Sequence, residues 1–211
     1  MRKLILLIVM ISLVLIPIAP AQSVFEFSVK ASKKYDLKDY KGAIADYTKV
    51  IELLATSSSP SSSPIIESAY ANRGTSKAYL ENYRGAIQDL TKAIEMNPND
   101  ANTYNDRGLS KAMIQDYKGA VADYNKALKI NPNLILAYFR RGLSKYDLED
   151  DKGAITDFTK CIEINPNYTE AYYNRGLSKY YMEDKNSACN DARKAQELGY
   201  DASWLISVSC K

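Results

Sequence analysis

The sequence predicts an all-α chain built of repeated antiparallel helix pairs, and three observations lead there. The first is repetition. The segment at residues 69–99, AYANRGTSKAYLENYRGAIQDLTKAIEMNPN, returns 34 residues later and twice more, which aligns Gly74, Gly108, Gly142 and Gly176, then Ala86, Ala120, Ala154 and Ala188, then Pro98, Pro132 and Pro166. The second is the short polar turn inside each unit, as at Glu81-Asn82 and Gln115-Asp116. So short a connection forces the two helices it joins to lie antiparallel. The third is Asn97-Pro98-Asn99 with its copies Asn131-Pro132-Asn133 and Asn165-Pro166-Asn167. Proline cannot donate the helical hydrogen bond and restricts the residue before it, so a proline recurring only here marks where each unit ends.

A 34-residue period with Gly, Ala and Pro so placed resembles the tetratricopeptide repeat (TPR), a helix-turn-helix unit. The resemblance implies a right-handed superhelical solenoid with a C-terminal capping helix. It implies no particular reaction, because the family shares an architecture. The RGLSK–DY version of the repeat is similar to TPR arrays of exported bacterial and archaeal type. In this register a degenerate unit occupies residues 24–57, and full units occupy 67–100, 101–134, 135–168 and 169–202. A capping helix at 202–211 follows.

Residues 1–21 come first. Arg2 and Lys3 precede an apolar run at 4–16, and Ala19-Pro20-Ala21 offers small residues where a signal peptidase reads, which places cleavage before Gln22. The mature chain is expected to be exported, periplasmic or secreted. The alternative is a membrane anchor at 1–21, but a 13-residue run broken only by Ser12 and followed by Pro17 falls short of the roughly 20 a spanning helix needs.

The second half of the first unit, KDYKGAIADYTKVIEL at 38–53, matches the later copies and sets the register. Its first half carries Ala31 in place of glycine and Phe27 in place of Tyr70, Tyr104, Tyr138 and Tyr172. A Ser/Pro insertion at 58–66 then adds nine residues to the period. It has little to bury and is expected to form a mobile loop. In each later unit helix A is expected to end at Leu80, Ile114, Leu148 or Met182, and helix B to open near Tyr83, Tyr117, Lys152 or Asn186. The last unit replaces Asn-Pro with Leu198-Gly199, where Gly199 suits a helix C-cap. Asp201 can cap the final helix, whose Trp204, Leu205 and Val208 are expected on the face that covers the end of the stack.

Tyr70, Gly74, Tyr83, Ala86, Leu90, Ala93 and their translated copies read as core, since no single unit can bury its apolar face alone. Seventeen tyrosines read mainly as packing between helices. A basic residue precedes each glycine (Lys30, Arg73, Arg107, Arg141, Arg175), a lysine follows four residues on, and Asp46, Asp89, Asp123, Asp157 and Asp191 recur on helix B. Cations at i and i+4 share a face and repel, so the aspartates are the natural compensation in a structural network.

The resemblance implies a concave groove lined by helix A, with Asn72, Thr75, Tyr79, Asn105, Met113, Phe139, Arg140, Tyr146, Tyr173, Asn174 and Tyr180 as candidate contacts for a peptide or helix of a partner protein. Amides hold backbone groups and rings bury apolar side chains. Chaperone-binding TPR domains carry a carboxylate clamp of Lys, Asn, Asn, Lys and Arg. The corresponding residues are Ala71, Thr75, Asp106, Leu136 and Arg140, of which only Arg140 fits, so recognition of a C-terminal carboxylate is not expected.

Cys161 stands where other units have alanine and reads as a small buried residue. Cys189 and Cys210 can form a disulfide pinning the cap, or remain free buried thiols. With 28 basic against 25 acidic residues, a formal charge of +3 and no histidine, nothing points to nucleic acid. No glycine-rich phosphate loop, HExxH or CxxC occurs. Neither enzymatic activity, nor a cofactor, a metal or a small-molecule substrate is expected. The partner is a protein or peptide, with a membrane involved only if residues 1–21 stay uncleaved; the alternative function is a self-associating structural adaptor.

Overall fold

The computed structural model describes residues 20–55 and 63–211. The signal segment expected at 1–21 lies almost wholly outside them, as does most of the Ser/Pro insertion. Eleven helices follow one another among the described residues: α1 (Pro20–Asp36), α2 (Tyr40–Ala55), α3 (Ser63–Tyr79), α4 (Tyr83–Met96), α5 (Ala101–Met113), α6 (Tyr117–Ile130), α7 (Ile135–Asp147), α8 (Asp151–Ile164), α9 (Thr169–Tyr181), α10 (Lys185–Glu197) and α11 (Ser203–Ser209). Each packs against the next, and α3, α5, α7 and α9 also touch one another in series. That is the right-handed TPR solenoid: A helices line one wall and B helices the other.

The turn inside each unit is set by one residue in the left-handed region. Lys38, Glu81, Gln115, Glu149 and Glu183 have φ of 61°, 60°, 64°, 61° and 65°. This reversal lets the N–H of Asn82, Asp116 and Asp184 donate back to the carbonyls of Lys77, Lys111 and Lys179 at 2.9, 2.9 and 3.0 Å, satisfying the orphan acceptors of helix A. The same residues cap helix B with their side chains: Asn82 accepts from the Gly85 N–H and Asp116 from Gly119. One short segment thus ends one helix and starts the next.

The core lies between A and B within a unit. Ala43, Ala86, Ala120, Ala154 and Ala188 are fully buried. One turn further along helix B, the position that holds Leu90, Tyr124 and Phe158 presses on the helix A glycine. A Cβ on Gly108 would stand 2.8 Å from the Tyr124 ring, and one on Gly142 2.7 Å from Phe158. Close approach therefore demands glycine there. The last unit has only Ala192 at that position, and Leu205 of α11 supplies the missing volume, 3.1 Å from where a Gly176 Cβ would lie.

The Arg/Lys/Asp ladder joins the units. Arg107 donates from Nε and Nη2 to both carboxylate oxygens of Asp123 at 2.9 and 2.6 Å, and Lys111 adds a third contact at 2.8 Å. Its remaining Nη1 donates to Thr91 of the preceding unit at 3.1 Å. Arg73, Arg141 and Arg175 repeat this with Asp89, Asp157 and Asp191, reaching Thr48, Asn125 and Thr159. Each guanidinium also lies about 5.4–5.5 Å from the ring of the tyrosine three residues before it. Arg73 reaches Thr48 across the insertion with the same contact the uninterrupted units make. The extra residues therefore leave the stacking register unchanged.

Three expectations need correction. In the first unit Lys30 does not join the ladder: it pairs with Glu26 at 2.6 Å, leaving Lys34 alone on Asp46 at 2.7 Å, because an ammonium lacks the second fork a guanidinium offers. Residues 63–66 of the expected insertion are helical and belong to α3, where Pro64 falls in the first turn and proline's missing N–H costs nothing. Trp204 is 51% exposed and leans edge-on against Tyr180 at 5.9 Å instead of covering the stack. At about 100° per residue the buried face of α11 falls on Leu205 and Ser209, with Ala202 buried just before it. Asp201 does accept from the Ser203 N–H at 3.1 Å, and Gly199, at φ 94°, ends α10 as expected.

Candidate functional site

The sequence-derived groove residues divide into three groups in space. Thr75, Tyr79, Met113 and Arg140 line one cavity of about 330 Å³ together with Tyr35, Ala78, Tyr83, Asp106 and Leu109. The cavity gathers side chains from α1, α3, α4, α5 and α7. Helical spacing accounts for the set: Thr75 and Tyr79 stand at i and i+4, and Asp106, Leu109 and Met113 at i, i+3 and i+7.

Tyr79 is 58% and Met113 53% exposed, so its mouth is apolar and open. Tyr79 stacks on Tyr40 at 4.5 Å, and both meet the edge of Tyr35 at 6.1 and 5.6 Å. The floor is polar. Thr75 Oγ1 donates to Asp106 Oδ2 at 3.3 Å, and Arg140 Nη1 stands 3.7 Å from Asp106 Oδ1, an ion pair too long for a hydrogen bond. That Nη1 is buried with no hydrogen-bond partner among the described residues. Burial raises the Asp106 carboxyl above its ordinary value, against the opposing pull of Arg140 and Thr75.

The second group is aromatic and pairs off locally. Phe139 packs on Tyr168 at 5.0 Å and Phe158 at 5.7 Å, and is therefore part of the core of its own unit. Tyr146 meets Tyr181 at 6.0 Å, and burial pushes its phenol up to about 12. Tyr173 lies on Tyr200 at 4.7 Å. Tyr180 touches Tyr181 and Trp204. No ring contact joins Phe139, Tyr146 and Tyr173, because each has a partner elsewhere: Phe139 on α8 and at Tyr168 just before α9, Tyr146 at the end of α9, and Tyr173 in the turn between α10 and α11. The exposed aromatic surface at this end is Tyr181 and Trp204, which sequence reasoning left out of the groove set.

The amides form the third group and stand apart. Asn105 is buried and donates to Asp106 Oδ1 at 3.3 Å, which makes it a support of the cavity floor. Asn174 donates to the Glu170 carbonyl of its own helix at 2.8 Å. Asn72 lines a separate hollow with Ser32, Tyr47 and Ile65. Two cavity residues were legible and missed: Tyr35 is the unit-one equivalent of Tyr146 and Tyr180, and Tyr83 belongs to the repeated core set.

A disulfide joins Cys189 to Cys210, whose Cα atoms are 5.0 Å apart, and ties α10 to the end of α11. Cys161 is a buried free thiol that burial pushes up to about 12. Among the described residues no group of acidic, cysteine or histidine side chains is placed to hold a metal ion, and no helix is long and apolar enough to cross a membrane.

Comparison with known proteins follows the same lines. A family model described as tetratricopeptide repeat matches residues 67–100 and 135–168, and one described as TPR repeat matches 113–149. The crystal structure of MamA protein superposes with a TM-score of 0.75 at 22% identity, over 84% of this chain and 92% of that one. MamA from Desulfovibrio magneticus RS-1 gives 0.75 at 16%, over 83% and 94%. YrrB, described as a TPR protein with an unusual peptide-binding site, gives 0.74 at 20%, over 92% and 98%. No curated protein sequence matches. At these identities the solved structures speak for the fold, and the two family models mark tetratricopeptide repeats at residues 67–100 and 113–168 of the chain.

Proposed function

We propose that this chain is an exported, non-enzymatic scaffold that holds a peptide or helix of a partner protein in the groove lined by its A helices. The observation that carries the reading is the open cavity at Tyr79, Met113, Asp106 and Arg140: apolar at the mouth, polar at the floor, and fed by four successive units. An apolar depression with a few convergent polar groups is the ordinary form of a recognition site. YrrB, of the same fold, is described as having a peptide-binding site. The aromatic pairs at Tyr146–Tyr181 and Tyr173–Tyr200 extend the same wall toward the C-terminus.

The test is crosslinking in the source cell followed by pull-down with the wild type and with Tyr146→Ala and Tyr173→Ala. The reading expects a defined partner whose capture weakens in both variants while the circular dichroism spectrum stays helical. Undiminished capture by both variants removes the groove from consideration.

A second reading, a self-associating adaptor, is favoured by the outward face of α1, where Phe25 and Val29 are exposed one helical turn apart. Light scattering at high protein concentration distinguishes it: a strict monomer rules it out.

A further inference from the structure

The floor of the cavity has a specific chemistry. Asp106 Oδ1 and Arg140 Nη1 face each other at 3.7 Å without a hydrogen bond between them; the Nη1 protons have no acceptor among the described residues, and Oδ1, which takes one proton from Asn105 at 3.3 Å, has a second lone pair. An acceptor and a donor therefore stand side by side beneath an apolar mouth. A residue in extended conformation presents the complementary pair, since its own N–H and C=O point to the same side, as in a hydrogen-bonded strand pair.

A free carboxylate fits less well, because it would meet Arg140 only by also meeting Asp106. A lone cation fits less well for the converse reason. The walls fit a ring: Tyr35 and Tyr79 offer edges and faces, and the Met113 thioether packs favourably on aromatics. About 330 Å³ lies at the small end of ligand pockets, room for one side chain with its flanking main chain.

We propose that this cavity is a subsite for one extended peptide residue with an aromatic side chain, its N–H donating to Asp106 and its C=O accepting from Arg140 while the ring lies between Tyr35, Tyr79 and Met113. The proposal rests on the groove reading above and names the ligand chemistry of one part of it.

The probe is N-acetyl-phenylalanine N-methylamide, an uncharged residue carrying both main-chain groups. It is titrated into the full mature chain, with the Met113 methyl resonance as reporter and Met113→Leu to assign it. The expected result is a saturable shift with a dissociation constant on the order of 1 mM, the range open to a ligand this small. Arg140→Leu and Asp106→Leu each weaken it at least fivefold while retaining wild-type circular dichroism. N-acetyl-glycine N-methylamide, lacking the ring, and N-acetyl-phenylalanine, bearing a carboxylate, both bind at least fivefold more weakly.

An unmoved Met113 methyl at 20-fold that concentration, about 20 mM, overturns the proposal. So does equal binding by the two variants, and tighter binding of the free acid reassigns Arg140 to an anion. Should either leucine variant unfold, Arg140→Lys, which keeps the charge and loses the fork, takes its place with the same fivefold criterion. The two readings fail separately. Partner capture that depends on Tyr146 and Tyr173 with a silent Met113 keeps the groove and discards this subsite. A titrating Met113 without partner capture does the reverse.

Discussion

Replacing Asp123 by Asn tests the energetics of the ladder most directly. The carboxylate is 5% exposed and receives Arg107 twice and Lys111 once, and those two cations are only 15% and 20% exposed. Asparagine keeps the volume and removes the charge, which leaves two largely buried cations without a counter-ion. Loss of one partner of a buried pair costs about 3–5 kcal/mol. Asp46 is the internal control. Its side chain is 12% exposed but it holds Lys34 alone, a side chain 38% exposed, since Lys30 has turned to Glu26. Asp46→Asn strands one cation that can turn to water, where Asp123→Asn strands two that cannot, so it should cost clearly less.

The assay is urea unfolding followed by circular dichroism. Repeat arrays can lose cooperativity, so it is paired with hydrogen exchange on the amides of α5 and α6, where the Asp123 loss should concentrate. Equal losses in the two variants would falsify the account, as would an Asp123→Asn cost below about 1 kcal/mol. Lys30→Arg offers the reverse perturbation: it should complete the fork on Asp46 and raise the urea midpoint.

Three further outcomes follow from single sites. Reduction of Cys189–Cys210 opens a closure spanning 21 residues and should cost about 3 kcal/mol, read as a lower urea midpoint and loss of amide protection in α11; an unchanged midpoint refutes it. Cys161, its thiol pushed up to about 12 by burial, should resist iodoacetamide at pH 8 in the native chain and react once unfolded, whereas rapid native labelling would mean the unit opens readily. Asp106 titrates above its ordinary value of 3.8 in the fold, so the stability tied to it is present below the unfolded-chain value and is lost as pH rises through the folded one. Asp106→Asn should therefore gain on the wild type in melting temperature between pH 3.5 and 7, and a constant difference across that range argues against the shift.

The periodic part of the molecule was legible because its causes are local. Glycine, alanine, proline and the capping Asn or Asp act within a few residues of themselves, so the helix ends at Tyr79, Met113 and Tyr181 fall within one residue of those expected. The pairing of the Arg/Lys rows with the Asp row was legible too, since like charges on one face require a counter-charge on its neighbour. The partner Nη1 contacts to Thr48, Thr91, Asn125 and Thr159 were not, because they cross between units and depend on how far one stacks upon the next.

The candidate site depended on that same stacking. Thr75, Asp106 and Arg140 belong to three different units, and only the superhelical turn sets Arg140 Nη1 3.7 Å from Asp106 while burying it without an acceptor. Phe139 shows the reverse case: its helix position suits a groove, yet Phe158 and Tyr168 draw it into the core. Trp204 is a third, since the volume left by Ala192 is filled by Leu205 and the larger ring remains outside. The sequence by itself determined the units, their ends and their charge compensation, all of which are decided within one helix pair. Which side chains meet across pairs, and which are left facing solvent, was decided by the tertiary structure, because rise and rotation per unit accumulate over residues far apart in the chain.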